Sequence, residues 1–166
     1  EFIFDENQNI YAVTGGNKAS IYFIKKDSKT PELLYSTTDE FHFYSLAKKG
    51  DEIYIGSEGK GILYLYNIKT KNMKNLYDTF EDEISKVFIG KDGKVYFTTA
   101  QRNVTAYDPQ FDYTDIIELQ GGAIKTKPSR YSKTRYYANS NNSLYTLNAE
   151  LKVDKIFTKT NSVLLS

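Results

Sequence analysis

The chain has 166 residues and a formal net charge of +1, with 22 Lys and Arg against 21 Asp and Glu. This balance gives no electrostatic basis for binding nucleic acid, and no apolar run is long enough for membrane insertion. The absence of cysteine excludes disulfides, thiolate metal sites and cysteine nucleophiles.

Short runs of β-branched and aromatic residues begin at Phe2 and recur to the end of the chain, and they predict β-strands. One strand of each repeat carries a tyrosine after an apolar residue. The copies of this residue are Tyr11, Tyr54, Tyr96 and Tyr137. They stand about 42 residues apart, a period typical of radial or stacked sheet units.

The second repeat is the clearest of these units. Ile53-Tyr54-Ile55 and Leu63-Tyr64-Leu65-Tyr66 are two strands separated by a turn that contains Gly59 and Gly61. Both faces of these strands carry large apolar or aromatic side chains, whereas a sheet with one solvated face would alternate apolar with polar residues. Neighbouring copies of the unit are therefore expected to cover both faces.

Four strands per repeat predict an all-β fold, a β-propeller of four-stranded antiparallel blades, with about four blades in this chain. The chain is expected to form a single, partial propeller domain over residues 1-166. The predicted blades span residues 2-36, 43-79, 84-119 and 123-158. Residues 162-166 begin a further strand, so we expect these blades to be part of a larger propeller.

The stretch Ile53-Tyr54-Ile55-Gly56-Ser57, followed by Gly61 and by residues 63-71, resembles the sensor-propeller repeats of bacterial two-component regulators. It is also similar to quinoprotein-like (PQQ-like) repeats. The sensor resemblance implies an extracytoplasmic domain, periplasmic or at the cell surface. Quinoprotein dehydrogenase repeats carry a packing tryptophan and this chain has none, so no cofactor is predicted.

Few residues of the chain suggest chemistry. His42, the only histidine, lies between two phenylalanines just before a predicted inner strand. It is either a general base or pH-sensitive ligand contact, or an ordinary loop histidine. No second histidine or cysteine stands near it, so no metal site is predicted there. The run Glu81-Asp82-Glu83 has the oxygen ligands that a hard cation prefers, but a solvated loop is the favoured interpretation and no metal site is predicted.

Charge is expected to differ between the two ends of the blades. In a propeller, the connections between blades share one rim with the hairpins between second and third strands. We call this the acidic rim, because it collects Asp39, Glu40, Glu58, Asp78, Glu81, Asp82 and Glu83. The opposite, basic rim collects lysines that include Lys25, Lys26, Lys48, Lys49, Lys69 and Lys71. Such a field can orient or steer a partner.

The leading functional interpretation is a non-catalytic binding or sensing module that recognises a protein or a small molecule. The candidate binding residues are Phe41, His42, Phe80, Glu81, Asp82, Arg102 and Asn141. One alternative is a structural module that completes a propeller by strand addition at Val163 to Leu165, or by forming a homodimer. The other is a fragment of a propeller-type lyase or hydrolase, which would need several convergent acids or histidines.

Overall fold

A computed structural model describes residues 1–99, 104–117, 136–140, 143–147 and 153–157. These residues form antiparallel strands joined by turns, and they contain no helix. The chain divides into two compact units, Glu1–Val87 (unit 1) and Phe88–Ser166 (unit 2). The predicted all-β fold of four-stranded antiparallel sheets is confirmed.

Unit 1 contains two four-stranded sheets, each with its strands in chain order. Blade 1 consists of β1 (Phe2–Phe4), β2 (Ile10–Thr14), β3 (Ala19–Ile24) and β4 (Glu32–Thr37). Blade 2 consists of β5 (His42–Lys49), β6 (Glu52–Glu58), β7 (Ile62–Asn67) and β8 (Asn72–Asp78). His42 was predicted to precede its strand but is the first residue of β5, because it pairs with Glu58 of β6.

A third four-stranded sheet starts at the end of unit 1 and continues into unit 2. Its strands are β9 (Ile84–Ile89), β10 (Val95–Thr99), β11 (Val104–Asp108) and β12 (Tyr113–Ile117). A further sheet of unit 2 has the described strands β13 (Tyr136–Ser140), β14 (Ser143–Leu147) and β15 (Val153–Phe157). The predicted first strand of that repeat, at residues 123–126, and the extra strand at 162–166 lie outside the described residues.

The core of unit 1 lies between blade 1 and blade 2. Val13 and Ile21 of blade 1 pack in one buried cluster with Leu46, Ile55 and Tyr66 of blade 2. The Tyr66 hydroxyl donates a hydrogen bond to the Leu34 carbonyl of blade 1, 3.0 Å away. Each fully buried apolar side chain contributes about 1.5–3 kcal/mol. This packing explains why the strands of blade 2 are apolar on the face toward blade 1.

Two copies of the repeated tyrosine bond a carboxylate that lies shortly before them in the chain. In unit 1, the hydroxyl of the buried Tyr54 donates to Glu52 Oε2 at 2.7 Å. In unit 2, the Tyr96 hydroxyl donates to Asp92 Oδ2 at the same distance. A buried ring whose hydroxyl reaches a carboxylate combines apolar burial with a satisfied polar group. At Tyr54 and Tyr96 the repeated tyrosine therefore serves both packing and hydrogen bonding.

Backbone hydrogen bonds bring several turns of unit 1 to the same end. The Gly16 amide, in the turn between β2 and β3, donates to the Phe41 carbonyl at 2.9 Å. The Gly59 amide, in the turn between β6 and β7, donates to the Asp82 carbonyl at 2.6 Å. Hairpins between second and third strands therefore meet the connections that follow the fourth strands. This end of unit 1 corresponds to the acidic rim defined above.

Candidate functional site

The structure brings most of the predicted site residues together on the acidic rim of unit 1. Phe41 and His42 lie where the chain enters β5, and Phe80, Glu81 and Asp82 lie in the loop between β8 and β9. The turn at Gly59 connects the two groups, because it bonds Asp82 and lies against the Phe41 ring. Arg102 and Asn141 lie outside the described residues.

The two phenylalanines of the site project into solvent. Phe41 is 74 % exposed and Phe80 is 92 % exposed. Phe80 has a φ of 56°, a conformation that non-glycine residues rarely adopt, and its amide donates to Asp78 Oδ1 at 2.8 Å. An aromatic side chain held outward in this way offers apolar area to a partner. Single exposed apolar residues are common on protein surfaces, so these two rings indicate a binding site only together with the polar groups around them.

His42 is held in a fixed orientation at this rim. Its Nδ1 lies 2.7 Å from Glu58 Oε2, and its ring stands edge-on to Tyr44 with centroids 5.5 Å apart. The ring also packs on Gly15, where an added Cβ would lie only 2.3 Å from a ring carbon. Within the described part of the chain, no hydrogen bond uses Nε2. The imidazole is therefore oriented by its neighbours, with one nitrogen left for another partner.

Two carboxylates of the site lie next to each other on neighbouring segments. Glu58, at the end of β6, forms an isolated antiparallel bridge with Glu83. Burial raises the pKa of the Glu83 carboxyl above its ordinary value of 4.5, and the negative charge of Glu58 raises it further. Sequence analysis placed both residues on the acidic rim but did not select them as site residues. Only the cross-strand pairing shows that they meet.

The raised pKa of Glu83 predicts a pH dependence of stability. Because the folded chain holds this proton more tightly than the unfolded chain, the free energy of unfolding falls as pH rises from 4.5 through the raised pKa. We expect Glu83→Gln to remove this fall. The variant should be more stable than the parent at neutral pH, and the difference should shrink in acid.

Urea unfolding of both chains across this pH range measures the effect. Glu6→Gln, an exposed change in the turn between β1 and β2, controls for the loss of one negative charge. Parallel pH profiles for the parent and Glu83→Gln would show that folding does not raise the pKa of the Glu83 carboxyl.

A cavity of about 310 Å³ lies beside the acidic rim, between β4 of blade 1 and β7 and β8 of blade 2. Aromatic rings line it together with polar groups. The residues that matter most to its chemistry are Tyr35, Asp39, Phe43, Lys60, Tyr64 and Asn75. The Lys60 ammonium donates a hydrogen bond to the Asp39 carbonyl at 2.5 Å. The cavity therefore combines apolar surface with both a positive and a negative group.

A buried carboxylate stands behind one wall of this cavity. Sequence analysis placed Glu40 among the charges of the acidic rim, but it is only 1 % exposed, so its side chain adds little exposed charge. Its Oε1 accepts a hydrogen bond from the Tyr64 hydroxyl at 2.5 Å, and burial together with this contact raises the pKa of Tyr64. Its Oε2 has no hydrogen-bond partner among the described residues. Because a buried oxygen without a hydrogen bond is energetically costly, a ligand group that donates a hydrogen bond to Glu40 Oε2 would be favoured.

The described residues contain no group of three or more histidine and carboxylate side chains arranged to hold a metal ion. They also form no helix with the length and apolar character that a membrane crossing requires.

The meander sheets define the class of this protein, which is a β-propeller. Three solved propeller structures resemble the chain. An auxiliary nutrient binding protein from Bacteroides thetaiotaomicron matches 94 % of it, with 14 % identity and a TM-score of 0.70. TolB from Acinetobacter baumannii matches 92 %, with 17 % identity and a TM-score of 0.69. The N-terminal domain of Nup159 matches 97 %, with 11 % identity and a TM-score of 0.66.

These similarities establish the fold alone, because all three identities are low. The chain spans 40 % of the nutrient binding protein, 41 % of TolB and 44 % of the Nup159 domain. No protein family model matches the sequence, and no curated protein is significantly similar to it.

Proposed function

We propose that this chain is a non-catalytic binding or sensing module whose ligand-binding surface is the acidic rim of unit 1. The observation that carries the proposal is the position of two exposed phenylalanines beside clustered carboxylates. Phe41 lies against the turn at Gly59, Phe80 lies in the loop whose Asp82 bonds that turn, and Glu58 at the end of β6 pairs with Glu83 of the same loop. Arg102 and Asn141 are further proposed members of the site.

The chemistry of this surface favours a ligand that is both cationic and apolar. Carboxylates attract ammonium or guanidinium groups, and the rings of Phe41 and Phe80 offer apolar contact and cation–π attraction. Aromatic side chains at the centre of an interface commonly carry most of its binding energy. A protein segment rich in lysine or arginine, with an apolar side chain among them, fits this description. A small amphipathic amine fits it as well.

The cavity next to the rim extends the same preference. Its volume of about 310 Å³ is in the lower part of the range for small-molecule sites. Asp39 and Lys60 line it at the acidic rim, and the buried carboxylate of Glu40 lies behind Tyr64. We propose that one end of the ligand enters here and donates hydrogen bonds.

Two further observations support a binding role. One structurally similar propeller is itself described as an auxiliary nutrient binding protein. The second repeat resembles sensor-propeller repeats, and on that resemblance we propose that the module acts outside the cytoplasm. The similarity to quinoprotein-like repeats supports the assignment of the repeats and adds nothing about the ligand.

The proposal is tested by calorimetric titration of the whole chain with a short peptide in which lysines flank a single phenylalanine. We expect binding that weakens as salt is added, because exposed charges are screened. Phe41→Ala and Phe80→Ala should each weaken it by about tenfold, the equivalent of about 1.4 kcal/mol. Asp82→Asn should weaken it by a smaller factor, because this side chain is exposed.

Three controls make the result specific. Replacing the peptide lysines with glutamate, or its phenylalanine with serine, should abolish or weaken binding. Phe111→Ala removes a 70 % exposed phenylalanine of unit 2 and should leave the affinity unchanged. Equal binding of the lysine and glutamate peptides, or equal losses from Phe111→Ala and Phe41→Ala, would rule out recognition by the acidic rim.

A further inference from the structure

The imidazole of His42 is held from two sides at the acidic rim. On one side, its Nδ1 lies 2.7 Å from Oε2 of Glu58 on the neighbouring strand β6. On the other side, Gly15 of the turn between β2 and β3 forms an isolated antiparallel bridge with His42 and lies against its Cγ and Cδ2 atoms. The side chain is nevertheless 38 % exposed. Because Cγ, Cδ2 and Nδ1 face these neighbours, the edge left for solvent contains Cε1 and Nε2.

The contact with Glu58 determines which nitrogen of the neutral imidazole carries the hydrogen. A carboxylate can only accept hydrogen bonds, so Nδ1 is the donor to Glu58. The other nitrogen of a neutral imidazole then has a free lone pair, and Nε2 is an acceptor. His42 therefore presents a hydrogen-bond acceptor at the rim, directly beside the exposed ring of Phe41 in the chain.

We propose that Nε2 of His42 accepts a hydrogen bond from the cationic group of the ligand, so that the acidic rim selects cations that carry an N–H, as lysine does, over quaternary ammonium groups. This inference rests on the binding function proposed above and narrows its ligand class. Carboxylates and phenylalanine rings attract fully methylated cations as well, because charge and cation–π attraction need no hydrogen. A neutral acceptor adds selectivity, since only a donor gains a hydrogen bond from it.

Calorimetric titration of the whole chain with two forms of the peptide described above tests the proposal. One form carries ordinary lysines, and the other carries trimethyllysines, which keep the charge but have no N–H. His42→Phe keeps an aromatic ring without the acceptor. It should weaken binding of the lysine form by about fivefold and leave the affinity for the trimethyllysine form unchanged. His42→Gln should lose less affinity for the lysine form, because its amide oxygen can accept.

Phe41→Ala separates a failure of this inference from a failure of the proposed function. The Phe41 ring acts through apolar contact and cation–π attraction, so its removal should weaken binding of both peptide forms. If it does, while His42→Phe changes both affinities equally or changes neither, the acidic rim binds the peptide but His42 does not select the N–H, and this inference is overturned. If neither form binds to the parent chain, the proposed function fails and this inference fails with it.

A pH profile provides a second test, because protonation turns Nε2 from an acceptor into a donor and adds a positive charge to the ring. The ionisable groups around His42 are Glu58 on β6, Glu83 bridged to Glu58, Lys18 in the turn that packs on the ring, and Tyr44 on β5. Histidine ordinarily changes its charge between about pH 5 and 8, so affinity for the lysine form should fall by about tenfold from about pH 8 to about pH 5.5.

Two variants assign this pH dependence to a residue. His42→Gln should remove most of the fall in affinity, because glutamine does not titrate. Glu83→Gln should keep the fall, and it removes the contribution of the Glu83 carboxyl, whose pKa is raised toward this range by burial and by Glu58. A fall that persists in His42→Gln, or that disappears in Glu83→Gln, would overturn the role of His42.

Discussion

Replacing Phe43 with alanine should lower the free energy of unfolding of unit 1 by about 3–5 kcal/mol. Phe43 is fully buried at the start of β5. Its ring stacks on Tyr35 of blade 1, with centroids 6.5 Å apart, and meets Tyr64 of blade 2 edge to face at 5.6 Å. The substitution leaves a cavity between the two blades. The folded chain loses the free energy of burying the ring and the packing contacts that the ring makes. Urea unfolding followed by circular dichroism measures the loss.

The neighbouring phenylalanine provides a matched control. Phe41 is two residues away in the same segment but is 74 % exposed. Phe41→Ala should change the free energy of unfolding by no more than about 0.5 kcal/mol, as is usual for surface substitutions. In the peptide titration, by contrast, Phe41→Ala should weaken binding, because Phe41 belongs to the proposed binding surface. Similar destabilisation by both substitutions would contradict the placement of Phe43 in the core.

Gly56→Val should be the second most damaging change, with a loss of about 3 kcal/mol. Gly56 lies in the middle of β6, where the start of β9 passes close by. A Cβ at this position would lie 2.5 Å from Ile84 Cγ2 and 2.8 Å from the Ile84 carbonyl oxygen. The side-chain atom can move aside, but the backbone oxygen can yield only by displacing β9. Unfolding of the purified variant in urea gives the size of the loss.

A double-mutant cycle separates this clash from a general intolerance of valine. Ile84→Ala alone should be destabilising, since Ile84 is fully buried. The double variant should lose less free energy of unfolding than the two single variants lose together, because alanine at residue 84 removes the Cγ2 contact. The rescue should be partial, because the carbonyl contact remains. Strict additivity would show that residues 56 and 84 do not meet in the folded chain.

The fold could be predicted from sequence because the repeats share one local sequence pattern. A tyrosine after an apolar or aromatic residue recurs in all four repeats with a near-constant period, and in the first two repeats glycine follows in the next turn. Two of the repeats show what this tyrosine does, since Tyr54 and Tyr96 each bury a ring and bond a carboxylate shortly before them in the chain. Local strand propensity and blade packing therefore favour the same arrangement.

The candidate site could be predicted only in part. Exposed aromatics in polar loops were visible in the sequence, and Phe41 and Phe80 are exposed as their surroundings suggest. The burial of Glu40 was not visible, because its partner Tyr64 lies 24 residues away on another strand. The contact of His42 with Glu58 likewise depends on the register between β5 and β6. Contacts of this kind are set by tertiary packing, which residue types alone do not reveal.

The most direct test of ligand binding at the acidic rim is an NMR titration of the whole, isotope-labelled chain with the lysine–phenylalanine peptide. We expect amide shifts concentrated at residues 39–42, 58–60 and 80–83, with the turns at residues 48–51 and 69–71 unaffected. Shifts concentrated in those two turns of the basic rim, or on β1 of blade 1, would contradict the proposed binding surface, as would the absence of any shift.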